Sequence, residues 1–167
     1  MPEGATEDKA LRGTDGWLAR QDFLKVFAEK DDQDTVGQLL TDAGLRHIAA
    51  RGWTTADGTR TGIYLLQFDT GVVAEHVNGK LTEYASPVHA LRGADETTYD
   101  DGFPTTADVY SVTRRAYDEV KPYGAEHVRQ AYLLVGDVVA LIVQSREGAA
   151  EAVPFQQTVV LQSQLLS

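Results

Sequence analysis

Ile63-Tyr64-Leu65-Leu66-Gln67-Phe68 runs through Asp69-Thr70-Gly71 into Val72-Val73-Ala74-Glu75-His76-Val77. The first six residues suit a strand, and the last six have helical spacing. The pattern returns in the second half. Val138-Val139-Ala140-Leu141-Ile142-Val143-Gln144 passes through Ser145-Arg146-Glu147-Gly148 into Ala149-Ala150-Glu151-Ala152-Val153. Each strand-like run follows a two-residue turn signal, Asp57-Gly58 in one copy and Gly136-Asp137 in the other. The copies lie about 78 residues apart, close to half the chain, which indicates a two-copy fold and not a solenoid of short repeats. The expected class is α+β. Two pseudo-repeated hairpin-plus-helix units form a mostly antiparallel sheet packed by helices, ferredoxin-like in flavour, with helices 71–82 and 149–166 in equivalent positions.

Working outward, residues 1–13 read as a flexible lead-in. Residues 14–167 read as a single domain of two similar halves, about 14–84 and 107–167, joined by loop 85–106. Asp15 is placed to cap a first helix carrying Trp17, Leu18, Leu24 and Phe27, and Asp32 or Asp34 to cap a second through Val36, Leu39 and Leu40, stopped by Gly44. Asp57-Gly58, flanked by threonines and alternating residues, predicts a type I′ hairpin turn. Residues 107–118 fit a helix by spacing and a strand by Val, Tyr and Thr content, and the strand is preferred. The run from Val138 to Val143 is almost wholly apolar, so it should be a central strand covered on both faces. Pro154 is compatible with the first turn of a last helix. In that helix Phe155, Val159, Leu161 and Leu165 are expected to pack on the sheet, so that Leu161→Ala would destabilise the protein.

Bulk properties exclude several classes. The chain has 167 residues, and its formal net charge of -10 comes from 25 acidic and 15 basic side chains. A general nucleic-acid binder needs clustered Lys and Arg to meet phosphates, so no nucleic-acid partner is expected. Adhesion to an anionic membrane surface is disfavoured for the same reason. The chain has no cysteine, which excludes disulfides, thiolate catalysis and cysteine metal sites. No apolar run approaches the roughly 18 residues of a membrane helix. Any membrane link would run through an N-terminal anchor that this chain does not contain.

The chemistry-bearing residues make no recognisable set. His47, His76, His89 and His127 lack the spacing of a local metal site and read as surface or helix-flank residues. No metal and no cofactor is expected. Asp95, Glu96, Asp100 and Asp101 read as a solvated charge run. There is no Gly-x-Ser-x-Gly elbow and no glycine-rich phosphate loop. The ligand-binding candidates are Arg51, Trp53, Tyr64, Arg114 and Tyr117. In Arg51-Gly52-Trp53 the strand period points the Arg and the indole the same way, which suits an anionic or planar ligand and equally suits a core Trp with a snorkelling Arg. Arg114-Arg115 with Tyr110 and Tyr117 carries the same two readings.

With Arg51-Gly52-Trp53, Asp57-Gly58-Thr59 and Leu66-Gln67-Phe68 in one half, and Gly136-Asp137-Val138-Val139 and the tail Val153-Pro154-Phe155-Gln156-Gln157-Thr158-Val159-Val160-Leu161-Gln162 in the other, the chain resembles a broad group of actinobacterial exported, lipid- or membrane-anchored, lipoprotein-like proteins. In outline it is similar to the extracellular sensor domains of some actinobacterial serine/threonine kinases. The resemblance spans roughly residues 35–167. Those kinase domains carry disulfides, which this chain cannot form. The resemblance brings no catalytic residues. It implies an extracytoplasmic protein, secreted or membrane-anchored, in which Met1 is not the native start; a cytoplasmic protein is the alternative. The reading that follows is a non-catalytic, sensor-like module binding a small molecule or protein partner in a groove between its halves. The alternative is a small enzyme on a ferredoxin-like or α+β-barrel scaffold acting on an apolar substrate, which requires a pocket with converging polar groups and a perturbed titratable residue.

Overall fold

The structure, a computed structural model, describes residues 1–106 and 108–167. Seven strands make one antiparallel sheet: β1 (Thr6–Glu7), β2 (His47–Thr54), β3 (Arg60–Gln67), β4 (Thr97–Tyr99), β5 (Thr113–Glu119), β6 (Glu126–Val135) and β7 (Val138–Glu147). Their order across the sheet is β1-β2-β3-β7-β6-β5-β4. The helices are α1 (Arg20–Leu24), α2 (Lys30–Asp42), α3 (Gly71–Leu81) and α4 (Ala152–Leu166). The class is α+β, with helices packed on the sheet.

Both turn signals form hairpins, by different means. Between β2 and β3, Thr55 accepts from the Gly58 N–H at 2.9 Å and donates to the Thr59 carbonyl at 2.9 Å. Gly58 alone takes positive φ, at 84°. This is a three-residue loop with a glycine bulge, not the type I′ turn, because Asp57 keeps negative φ and uses its carboxylate instead. It accepts from the Thr55 hydroxyl at 2.6 Å, the Thr59 N–H at 3.1 Å and the Thr59 hydroxyl at 3.0 Å. The β6–β7 loop is the tight one. Val135 pairs with Val138, and Gly136 at φ 54° supplies the positive φ that a type II′ turn needs first.

β7 lies between β3 and β6, in register with Tyr64↔Leu141 on one side and Tyr132↔Leu141 on the other. Tyr64, Leu66, Tyr132, Val139 and Leu141 point to one face, where Phe23, Phe27, Val36, Leu40, Ala74, Val77 and Leu81 of the first three helices and their connections cover them. Ala131, Leu133, Ala140 and Ile142 point to the other, where Phe155 and Val159 of α4 meet them with Phe103. The two hairpins are thus adjacent and antiparallel, each followed by a helix. The helices do not occupy equivalent positions. Overlaying β2–β3 on β6–β7 preserves the face, yet α3 and α4 sit on opposite faces. β7 is apolar on both sides and needs cover on each, and α3 and α4 supply it on opposite faces.

Other expectations change in detail. The lead-in is fastened: β1 pairs with β2 (Thr6↔Thr54), the Asp8 N–H donates to the Gly52 carbonyl at 2.8 Å, and Lys9–Arg12 form a 3-10 turn. Leu11 lies over Gly52, where an added Cβ would come within 2.6 Å of Leu11 Cδ1. α1 is one turn and a half, and Trp17 stays outside it, half-exposed and stacked on His47 at 4.4 Å. α2 has no side-chain cap; Asp31 and Asp32 lie in its first turn, where the helix dipole favours them. α3 is capped by Thr70, whose hydroxyl accepts from the Val73 N–H. The 85–106 segment is anchored through Ala28 N–H to Ala90 O at 3.0 Å, Arg92 N–H to Val26 O at 2.7 Å, and the buried Leu91. Residues 113–119 are a strand, as preferred.

In α4 the apolar residues divide. Phe155 and Val159 are 0% exposed, but Leu161 is 60% and Leu165 78% exposed, so the expectation that both leucines pack on the sheet is corrected. The period explains this: 155 and 159 lie on one side, while 161 and 165 are rotated well away from it. Phe155→Ala should therefore cost about 3–5 kcal/mol, and Leu161→Ala no more than about 0.5 kcal/mol, in equilibrium urea unfolding. The Asp57 cage gives a second expectation. Hydrogen bonds from Thr55 and Thr59, with Arg146 at 3.4 Å, draw its carboxyl from 3.8 to about 2. A depressed carboxyl contributes stability above its unfolded pKa of about 3.9, lost as pH falls through the folded value. The melting-temperature gap between wild type and Asp57→Asn should be present at neutral pH, shrink between pH 4 and 2, and vanish below.

Candidate functional site

The two-residue period of β2 puts Ala49, Arg51 and Trp53 on the α4 face of the sheet, and that of β3 puts Ile63 and Leu65 beside them. Arg51 pairs across with Ile63, and Ala49 with Leu65. α4 lies over β6, where Phe155 and Val159 anchor it. Its flank, Thr158, Leu161, Gln162 and Leu165 at spacings of three, one and three, overhangs β3 and β2 without filling the space beneath. The result is a groove of about 480 Å³ between the β2–β3 hairpin and α4, closed at one end by Met1 and Pro2. Its size falls within the usual range for small-molecule sites, roughly 300–1,000 Å³. Ala49 leaves the floor low, and Trp53, 7% exposed, makes one wall.

The groove is electrostatically one-sided. No acidic side chain lines it, and Arg51 is the one ionisable side chain that does. Arg51 is exposed and makes no ion pair among the described residues. The carboxylate that feels its charge is Glu7, and Glu7 is already held by Arg12, whose Nε donates to it at 2.8 Å and whose Nη2 pairs at 2.5 Å. That hydrogen bond, more than Arg51, lowers the Glu7 pKa.

Of the five sequence candidates, Arg51 and Trp53 meet here. The other three do not. Tyr64 points to the opposite face, edge-on to Phe23 at 5.5 Å, with burial raising its phenol to about 12. Tyr117 is fully buried on that same face, donates to the Glu83 carbonyl, and is also raised to about 12 by burial. Arg114 lies on the α4 face but at the far side of the sheet. Its guanidinium sits 3.7 Å above the Phe103 ring and pairs with Asp108 at 2.6 Å, and desolvation lowers its pKa. The reasoning from sequence missed the α4 wall. A signal was present: from Ala152 to Ser167 there is no charged residue, in a chain that is 24% charged.

A His–Asp pair elsewhere has the outline of a catalytic dyad, with both ring nitrogens already engaged. His127 Nε2 lies 2.6 Å from Asp118 Oδ1, and Nδ1 accepts from the Ala150 N–H at 2.9 Å. Because a backbone N–H can only donate, Nδ1 is the acceptor and the neutral ring carries its proton on Nε2. Tyr123 stacks on the ring at 3.8 Å, and His127 is 1% exposed. With both nitrogens engaged, no basic site faces a substrate. Arg129 completes the cluster, reaching Asp118 at 3.0 Å and the Ala150 carbonyl at 2.9 Å, so the group ties β5 and β6 to the turn before α4. His89 is likewise buried, 2.8 Å from Asp32 and edge-on to Phe27. The expectation of surface histidines is thus corrected for 89 and 127. Among the described residues no group of three or more His, Asp and Glu could hold a metal ion, and no helix is long and apolar enough to cross a membrane.

A second hollow, lined by Trp17, Arg20, Thr41, Arg46 and His47, is more polar, and its arginines are engaged: Arg46 with Asp69 at 2.9 Å, Arg20 with the Thr41 hydroxyl at 2.5 Å.

No protein-family model and no curated protein matches the chain. Among solved structures it is similar to the extracellular domain of PknH from Mycobacterium tuberculosis, at 9% identity and a TM-score of 0.45, over 77% of this chain and 69% of that one.

Proposed function

We propose that the chain is a non-catalytic, extracytoplasmic binding module that takes its ligand in the groove between the β2–β3 hairpin and α4. The observation that carries this reading is the groove itself: an apolar trough with one buried indole, one unpaired guanidinium and no carboxylate. Its two walls come from different halves of the chain, the arrangement in which ligand pockets recur. An enzyme of this size would place a perturbed titratable group at its pocket. Here the perturbed tyrosines and Asp100 lie outside the groove. The extracytoplasmic part of the reading rests on the sequence resemblance alone. Fractionation of cells carrying the full native gene tests it, and a protein confined to the cytoplasm would refute it.

The groove is tested with N-phenyl-1-naphthylamine, a neutral apolar dye, in a Trp17→Phe background that leaves Trp53 as the sole indole. One equivalent should bind, with energy transfer from Trp53. Leu161→Asp changes an exposed side chain, so it should leave the melting temperature within a few degrees and weaken dye binding at least tenfold. Binding that ignores Leu161→Asp, or no binding at all, would refute the reading.

A further inference from the structure

We propose that the ligand of this groove is a free single-chain amphiphile with one anionic end, its head on Arg51 and its tail along Leu65, Leu161 and Leu165. This deepens the binding-module reading and rests on it. Three observations converge. First, the lining is apolar except for Arg51, Thr158 and Gln162, and the Thr158 hydroxyl already donates to the Pro154 carbonyl at 2.9 Å. The polar demand of the site therefore falls on Arg51, its one charged side chain, and on the Gln162 amide. A carboxylate matches the planar fork of Arg51 bidentately, a contact that a neutral apolar ligand cannot make.

Second, the groove is a carboxylate-free strip on a chain whose net charge is -10. Glu7, the carboxylate on which the Arg51 charge acts, is paired with Arg12, and Arg51 itself makes no ion pair among the described residues. Third, the apolar surface does not end at the groove. Leu161 also borders a second hollow of about 470 Å³, lined with Pro104, Val153, Gln156, Gln157 and Val160 on the other flank of α4. A linear chain can follow that strip, while a compact ring system would use only one of the two hollows.

The test compares dodecanoate, dodecan-1-ol and dodecyltrimethylammonium, each below its micelle concentration, by Trp53 fluorescence in the Trp17→Phe protein. Dodecanoate should bind about tenfold or more tightly than the alcohol, as expected for one charge-assisted, bidentate contact, and the ammonium most weakly. Arg51→Gln should bring dodecanoate to the level of the alcohol and leave the alcohol unchanged; Arg51→Lys should keep part of the preference. Equal binding of all three overturns the headgroup assignment while the groove reading survives. Failure of all three together with the neutral dye overturns the groove reading itself. Co-sedimentation with phosphatidylglycerol vesicles that depends on Arg51, without binding of free dodecanoate, would make a lipid surface the occupant. A dimer in sedimentation equilibrium that Leu161→Asp dissociates would make it a second copy of the chain. Either result refutes the proposal.

Discussion

Val139, Ala140, Leu141 and Ile142 of β7 are each 0% exposed, and consecutive residues of one strand can be buried only if both faces of the sheet are covered. This requirement sets the architecture. The first helices and their connecting segments take one face. On the other, among the described residues, α4 is the helix that provides cover. A helix is about 10 Å across with its side chains, and neighbouring strands are about 4.8 Å apart, so a single helix shields the width of about two strands. α4 sits where burial matters most, over β6 and β7. The β5 side of that face is completed by Phe103, with Arg114 laid over its ring. The β2–β3 side receives only the flank of α4 and the tip of the N-terminal segment. The groove is the region of the face that this helix cannot reach.

The same geometry explains the character of the groove. Arg51 stands near the edge of the sheet, where a guanidinium keeps its hydration while its stem lies on apolar surface. Trp53 is one step further along, beside the β1 pairing that closes the edge. Gly52, between them, faces the opposite side and is held open by Leu11, so the strand cannot be displaced toward the groove without disturbing the 3-10 turn. This wall of the groove is therefore backed by packed structure. By contrast, the His127–Asp118–Arg129 cluster spends its hydrogen-bonding capacity internally, joining two strands to the segment that launches α4. Its polar groups position the helix, and so shape the groove at a distance.

What the sequence revealed followed from local rules. The hairpins, the two-sided cover of β7 and the position of helix 71–82 are each specified by residues within a few positions. The Asp57-Gly58 turn was recognisable, but its type was not, because Asp57 satisfies itself through Thr55 and Thr59 and never adopts positive φ. The non-local features were hidden. That α3 and α4 take opposite faces depends on what β7 needs from both sides, and nothing in helices 71–82 and 149–166 records it. His127 occurs in an Ala-Glu-His triplet like that of His76, yet one is sealed and the other exposed, because only the strand pairing brings Asp118 and Ala150 to the first. Of the proposed binding residues, Arg51 and Trp53 share a face by strand period alone. Tyr64, Arg114 and Tyr117 were nominated by residue type, and tertiary packing sent them elsewhere.

The outer ridge of α4 carries the remaining argument. Val153, Gln157, Leu161 and Leu165 recur every four residues and form one row along the helix. A single exposed leucine requires no explanation, since apolar atoms make up much of any protein surface. A row that is apolar at three of its four positions, on a helix with no charge along fifteen residues, does. Stability does not ask for it: Phe155 and Val159 already anchor the helix, and Glu or Lys on the outer face would preserve helix propensity and improve solubility. Nor does the fold forbid charge there, because these side chains meet solvent. On the proposed reading, a row that neither stability nor folding requires, next to a groove whose one ionisable side chain is an unpaired arginine, is accounted for by what the groove would receive: a charge at 161 or 165 would have to be desolvated on filling the groove, and that penalty would fall on binding while leaving the fold untouched.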